Sequence, residues 1–223
     1  MSTQTPKTTH VALLLDRSGS MAPLVSDVVG GVNQFLAEQR TQGNDVRVSL
    51  VQFDSQDPQD VIVWGAPIAE VADISSSSFL PRGGTPLLDA TGLLIGRVKV
   101  DAQARIAAGL ADEDIVFVTV TDGEENQSRE FSLTQVKALV DAQTAAGWTF
   151  VFLSAGLNAY ADAGQMGFDA KNSQAWDRRG DNTRMAFQSI SKGMTNMREK
   201  KRRGEQVDTL NFFEAGKDAE ENI

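Results

Sequence analysis

The stretch His10-Val-Ala-Leu-Leu-Leu-Asp16-Arg-Ser18-Gly-Ser20-Met21 decides the fold. Its apolar run is too short for a helix and lacks polar alternation, so it reads as a strand buried on both faces. The run ends in Asp16 and a Ser/Gly loop, and beyond Ser20 the apolar period changes. Val25, Val28, Val29, Val32, Phe35 and Leu36 then recur at three- and four-residue steps, the mark of a helix with one buried face. Ser20 is the expected cap of that helix, and Gly43 lies just past its end.

Working outward, Val46–Phe53 reads as a second strand and Val61–Trp64 as a third, with Asp57-Pro58 turning between them. So short a connection makes a hairpin, because a parallel crossover needs roughly a dozen residues or more. Ser75–Ser78 and Pro81-Arg-Gly-Gly84 form a loop rich in breakers. A helix follows, with Thr85 as cap and Pro86 in the first turn, burying Leu87, Leu88, Leu94, Ile95 and Val98. Ile115–Val120 is another buried strand, closed by Thr121-Asp-Gly123. Ser132 and Gln135 make a capping box for a helix burying Leu133, Val136, Leu139 and Val140. Trp148–Ser154 is a fifth strand. A short helix at Asn158–Met166, an extended segment near Ser173–Trp176 and a helix from Asp181 towards Arg203 complete the chain. Phe187, Ile190, Met194 and Met197 give the last helix its apolar face.

Alternating strands and helices predict an α/β fold: a doubly wound, Rossmann-like sheet, mostly parallel with one antiparallel edge strand and helices on both faces. One domain is expected over 10–203, after a disordered tail at 1–9 and before a flexible acidic tail at 204–223. The 223 residues suit that single domain. Cysteine is absent and His10 is the sole histidine, which excludes thiolate metal sites, cysteine nucleophiles and multi-histidine centres. The net charge of −9 has the wrong sign for coating nucleic acid or anionic lipid. No apolar run approaches the roughly 20 residues of a membrane span. With a polar Met1–Thr9 in place of a signal-peptide core, the expectation is a cytoplasmic protein with no membrane or nucleic-acid partner.

In the strand order 3-2-1-4-5 the first and fourth strands are neighbours, and ligands bind beyond their carboxyl ends. Asp16 ends one and Asp122 the other. Three loops therefore bring Asp16, Ser18 and Ser20, then Thr85, then Asp122 to one crevice, all of them oxygen donors. A hard cation such as Mg²⁺ takes about six oxygens, some of them water. Two carboxylates neutralise such an ion without saturating it, which leaves it open to an anionic oxygen from outside, such as a Glu or Asp of another protein.

Asp16-x-Ser18-x-Ser20-Met21, Gly83-Gly-Thr85-Pro-Leu and Thr121-Asp-Gly-Glu together resemble a von Willebrand factor A (vWA) domain and its metal-ion-dependent adhesion site. The resemblance implies that Asp16, Ser18 and Ser20 ligate Mg²⁺ (or Mn²⁺ or Ca²⁺), with Thr85 and Asp122 ligating directly or through water. It also implies a binding module rather than an enzyme, one whose protein partner supplies a Glu or Asp carboxylate. Metal loops that shift between open and closed states occur in the family, and Gly83 and Gly84 are the positions here that would permit such a shift.

The alternative is a metal-dependent hydrolase or phosphatase using the same ion. Against it, no Gly-x-Ser-x-Gly elbow or Walker-type loop is present. Serine also stands at position 18, where haloacid-dehalogenase phosphatases carry a second aspartate. His10 reads as a surface or core-edge residue. Glu124, Glu125 and Asn126 read as a solvated loop, with a supporting role around the site as the alternative. Arg17 either meets an acidic partner or lies on the surface. The cations Arg198, Lys200, Lys201, Arg202 and Arg203 read as a solvated helix end favoured by the macrodipole, with docking of an acidic partner or nucleic acid as the alternative. In the acidic tail, Glu214 or Glu220 offers a carboxylate to a neighbouring copy, a route to self-association.

Overall fold

Six strands form one sheet in the order β3-β2-β1-β4-β5-β6. The structure, a computed structural model, describes residues 7–123, 125–156, 158–176 and 182–213. The strands are β1 (Thr9–Asp16), β2 (Val46–Phe53), β3 (Asp60–Pro67), β4 (Asp114–Thr121), β5 (Thr149–Ser154) and β6 (Ser173–Ala175). Between and after them come α1 (Val25–Thr41), α2 (Leu87–Ala107), α3 (Leu133–Ala145), α4 (Ala159–Gln165) and α5 (Asn182–Arg202). Every pairing is parallel except β2 with β3, the hairpin at one edge. The doubly wound α/β fold with one antiparallel edge strand is therefore the observed one.

The side-chain period of two divides the core between the two faces of the sheet. Val11, Leu13 and Leu15 of β1 join Val116, Val118, Val120, Val151 and Leu153 beneath α1 and α5. Ala12 and Leu14 join Phe117, Phe150 and Phe152 beneath α2 and α3. Fully burying each large aliphatic or aromatic side chain contributes roughly 1.5–3 kcal/mol, so the central strands need no polar face. α1 and α5 meet closely because Gly31 lacks a side chain: a Cβ there would sit 2.2 Å from the Phe187 ring. The capping box of Ser132 and Gln135 on α3 is present as expected, but Leu133 is 38% exposed rather than buried.

The basic end of α5 is solvated only in part: Arg202 and Arg203 are exposed, as expected, but Arg198 is not. Arg198 is only 1% exposed and donates to the carbonyls of Gln39 (3.1 Å) and Gly43 (3.0 Å). It also pairs with Asp45, which takes Arg202 as well at 2.7 Å. These cations thus add donors to the carbonyls at and just past the end of α1, while Lys201 pairs with Asp114 at 2.7 Å. Packing also continues past residue 203. Phe212 and Phe213 are 5% and 3% exposed, Asn172 Oδ1 accepts from Phe212 N–H (2.7 Å), and Asn172 Nδ2 donates to the Thr209 carbonyl (2.7 Å). The expectation of a free tail from 204 is thus corrected as far as Phe213, while Glu214 and Glu220 lie outside the described residues, as does 1–6.

His10 is fully buried at the amino end of β1, not at a core edge. Its ring nitrogens face the Ser49 hydroxyl (2.9 Å) and the Arg47 guanidinium (3.2 Å). Burial, then the Arg47 charge, pushes its pKa down to about 3. Six residue steps along the strand separate it from Asp16, roughly 20 Å, so no Ser–His–Asp triad forms around these serines. An unfolded imidazole takes its proton near pH 6.5, whereas the folded one refuses it until about pH 3. The unfolded state therefore binds the extra proton between those values, and stability falls as the pH falls. Chemical denaturation at pH 7 and pH 5 should show His10→Gln losing about 2 kcal/mol less than the wild type over that interval.

Candidate metal centre

The carboxyl ends of β1 and β4 place Asp16 and Asp122 side by side, both fully buried. Asp16 Oδ1 accepts from Ser18 N–H (2.7 Å), which folds the loop back over the strand end. Ser18 and Ser20 hydroxyls lie 3.0 Å apart, and Ser20 donates to Asp122 Oδ1 at 2.7 Å. Ser18 and Thr85 are 1% and 2% exposed, whereas Ser20 lies on the solvent side. The convergence is measured at Gly123: the point where its Cβ would stand is 3.2 Å from Thr85 Oγ1, 3.6 Å from Ser20 Oγ and 3.9 Å from Asp16 Oδ2. Oxygens of the first and second loops thus approach one point beside the third, and Asp122 joins them through its bond from Ser20.

Neither Ser20 nor Thr85 caps a helix. A 3-10 turn at Gly19–Leu24 precedes α1, and the Ser20 hydroxyl turns to Asp122 instead. The first helical residue of α2 is Leu87, Pro86 holds the cap position, and no side-chain cap bond forms. The Thr85 hydroxyl is therefore not committed to capping.

Burial raises the Asp16 carboxyl to about pKa 6; hydrogen bonds from Thr121 and Ser18 oppose the rise and the charge of Asp122 adds to it. Two carboxylates and three hydroxyls, all hard donors, meet in a place where the carboxylates strain against each other. That set fits a hard divalent cation and offers nothing to a soft one.

The supporting residues were less visible in the sequence. Thr121, read as a strand terminator, donates from its hydroxyl to Asp16 Oδ2 at 2.6 Å. Arg17 is neither on the surface nor free for a partner. It is 5% exposed and bonds Asp54 through Nε (2.9 Å) and Gln52 Oε1 (3.0 Å), with an ion pair to Asp60. Burial alone would raise the Asp54 carboxyl. Hydrogen bonds from Arg82, two backbone N–H groups and Arg17 outweigh it and hold the group below the usual carboxylate range.

The loop after Asp122 faces solvent at Asn126, as expected, but it is also tied to the start of α2. Asn126 Oδ1 accepts from Thr85 N–H (2.9 Å), and Glu125 accepts from Leu88 N–H (2.8 Å) and from Ser128. Asp89 accepts from the backbone N–H groups of 129–131, at 2.7, 2.9 and 2.8 Å. Glu124 lies outside the described residues.

A second acidic group, His10, Asp101 and Glu113, lies at the opposite end of the sheet. Arg47 pairs with Asp101 and Glu113 and donates towards His10, and Arg105 pairs with Glu113 at 2.9 Å. Two guanidinium groups already neutralise two carboxylates there, and a metal ion would have to displace them.

No protein-family model matches this chain, and no curated protein sequence does. In fold it is similar to the pilus adhesin SpaC from Lactobacillus rhamnosus GG, with TM-score 0.62 and 14% identity over 86% of this chain and 30% of that one. It is likewise similar to proximal thread matrix protein 1 from the mussel byssus, with TM-score 0.60 and 12% identity over 85% of this chain and 48% of that one. Identities this low describe a shared architecture. This chain spans half or less of the length of either protein.

Gly83 holds the second loop against the first. Its φ is +63°, and a Cβ would stand 2.4 Å from Ser55 Oγ. Gly83→Ala is expected to lower stability by about 1–3 kcal/mol. Gly96→Ala on the exposed side of α2, where a Cβ meets nothing within 4 Å, should instead stabilise by up to about 1 kcal/mol. Urea unfolding of the two variants checks the contrast.

Proposed function

We propose that this chain is a vWA-type binding module that holds a divalent cation, Mg²⁺ in the first instance, and through it captures a carboxylate of a protein partner. The observation that carries the reading is the meeting of Thr85 Oγ1, Ser20 Oγ and Asp16 Oδ2 within 4 Å of one point, with Asp122 bonded to Ser20. Asp16, Ser18 and Ser20 would hold the ion from the first loop, and Thr85 and Asp122 from the other two. The ion, when bound, supplies a Lewis-acidic centre to which an anionic oxygen from outside can attach.

The chain's own residues account for the rest. Asp16 and Asp122 supply charge that balances a dication without overfilling it. The three hydroxyls add donors and no charge. Ser20, on the solvent side, places the open face towards a partner. Support also comes from the fold, which is that of a pilus adhesin among others. A strongly acidic partner would be repelled by a chain of net charge −9, so the partner brings one acidic side chain on an otherwise neutral or basic surface. No helix among the described residues is long and apolar enough to cross a membrane.

A melting series with Mg²⁺ tests the reading. An ion that binds the folded state alone stabilises it by about 2.7 kcal/mol at a hundredfold excess over its Kd. Asp16→Asn and Asp122→Asn should abolish that gain while the ion-free proteins melt at or above the wild-type temperature, since each change removes one of two adjoining buried charges. Pull-down of a partner should fail with EDTA and with either variant. Undiminished stabilisation in both variants, or a partner retained under chelation, would overturn the proposal. Hydrolysis of a phosphate ester that depends on Mg²⁺ and Asp16 would overturn its non-enzymatic part.

A further inference from the structure

The two loops that carry Ser18, Ser20 and Thr85 are far apart in sequence, and one carboxylate takes an arginine from each of them. Asp54, just beyond β2 and fully buried, accepts from Arg17 Nε at 2.9 Å and from Arg82 Nε at 2.9 Å, both on Oδ2. Its Oδ1 accepts from Gln56 N–H (2.7 Å) and Asp57 N–H (3.1 Å), so the carboxylate cannot swing. Arg17 lies between Asp16 and Ser18 and turns the opposite way from them, into this hub. Arg82 precedes Gly83-Gly84-Thr85. Backbone bonds run alongside: Arg82 N–H to the Arg17 carbonyl (2.9 Å), Gly19 N–H to the Gly83 carbonyl (3.0 Å) and Ser55 N–H to the Gly84 carbonyl (3.0 Å).

We infer that Asp54 and Arg82 are positioning residues, a clamp that fixes the Thr85 loop on the Asp16–Ser20 loop and so sets the affinity of the site for a divalent cation. The inference rests on the metal-site reading above and adds to it a pair that does not touch the ion. Arg82 is the tractable half of the clamp, because its side chain is 45% exposed and its loss uncovers no core. Arg17 is buried and also held by Asp60 and Gln52, so changing it perturbs the hairpin as well.

Electrostatics and positioning predict opposite signs for Arg82→Gln. Removing a positive charge near a cation site tightens cation binding by Coulomb's law alone. Loosening the clamp weakens it; Arg82 and Asp54 bond none of the proposed ligands themselves, so the loss is set against the lower end of the roughly 10–100-fold that removing a direct partner of a metal ligand costs. Calorimetric titration with MgCl₂ at fixed ionic strength should give Arg82→Gln a dissociation constant up to about tenfold above wild type. Its ion-free melting temperature should stay near that of the wild type. Arg82→Lys, which keeps a charged donor towards Asp54, should recover most of the affinity. Arg97→Gln removes a cation stacked on Trp64, away from the clamp, and should bind Mg²⁺ at least as tightly as wild type. Asp54→Asn should follow Arg82→Gln or exceed it. Wild-type affinity in Arg82→Gln, or tighter binding, overturns the clamp and leaves the metal reading standing. A wild-type protein that binds no Mg²⁺ removes the metal reading, and the clamp falls with it.

Discussion

Two carboxylates brought together out of water are the constraint around which this molecule is arranged. Asp16 ends β1, Asp122 directly follows the adjacent parallel strand β4, and both are fully buried. Burial and mutual repulsion raise the Asp16 carboxyl to about 6 despite the hydrogen bonds it accepts. A fold gains nothing from such a pair by itself, because desolvated like charges cost free energy. The arrangement persists because strands buried on both faces lock the two strand ends in register. Under the proposed function, a dication that neutralised both groups would recover that cost.

The neighbourhood is built to keep this strained set in one geometry. Thr121 orients Asp16, Ser20 reaches Asp122, and Asn126 anchors the backbone of Thr85. Asp89 and Glu125 gather the backbone N–H groups of the third loop at the start of α2, whose N-terminus favours negative charge. Asp54 collects the arginines of the first two loops. Positive groups stay in outer pairs with their own acids, while the two inner carboxylates are held by hydroxyl and backbone donors alone among the bonds given above. At the far end of the sheet Arg47 and Arg105 neutralise Asp101 and Glu113 in place, so acidic residues alone do not make a cation site there.

Much of this was legible in the amino-acid order. The change of apolar period after Ser20, the short link between Val46–Phe53 and Val61–Trp64, and aspartates closing two apolar runs were enough to draw the sheet and its edge hairpin. They also brought Asp16, Ser18, Ser20, Thr85 and Asp122 to one crevice. What escaped depends on contacts between elements. Arg17 reads as a loop cation until the hairpin sets Asp54 and Asp60 beside it. Arg198 reads as a solvated helix end until α5 lies along α1 and meets the carbonyls of Gln39 and Gly43. Phe212 and Phe213 sit in a stretch without period, and only the packing of α5 shows that they are core. Ser20 and Thr85 carry cap-like sequence signals, yet a 3-10 turn and Pro86 displace them from the caps.

The most direct test of the central claim is diffraction from crystals grown with Mn²⁺, an oxygen-seeking ion that stands in for Mg²⁺ and scatters anomalously. One strong anomalous peak bounded by oxygens of Asp16, Ser18, Ser20, Thr85 and Asp122 is the expected result. A saturating Mn²⁺ concentration that leaves this place without a peak, or puts the ion beside Glu113 instead, would contradict it.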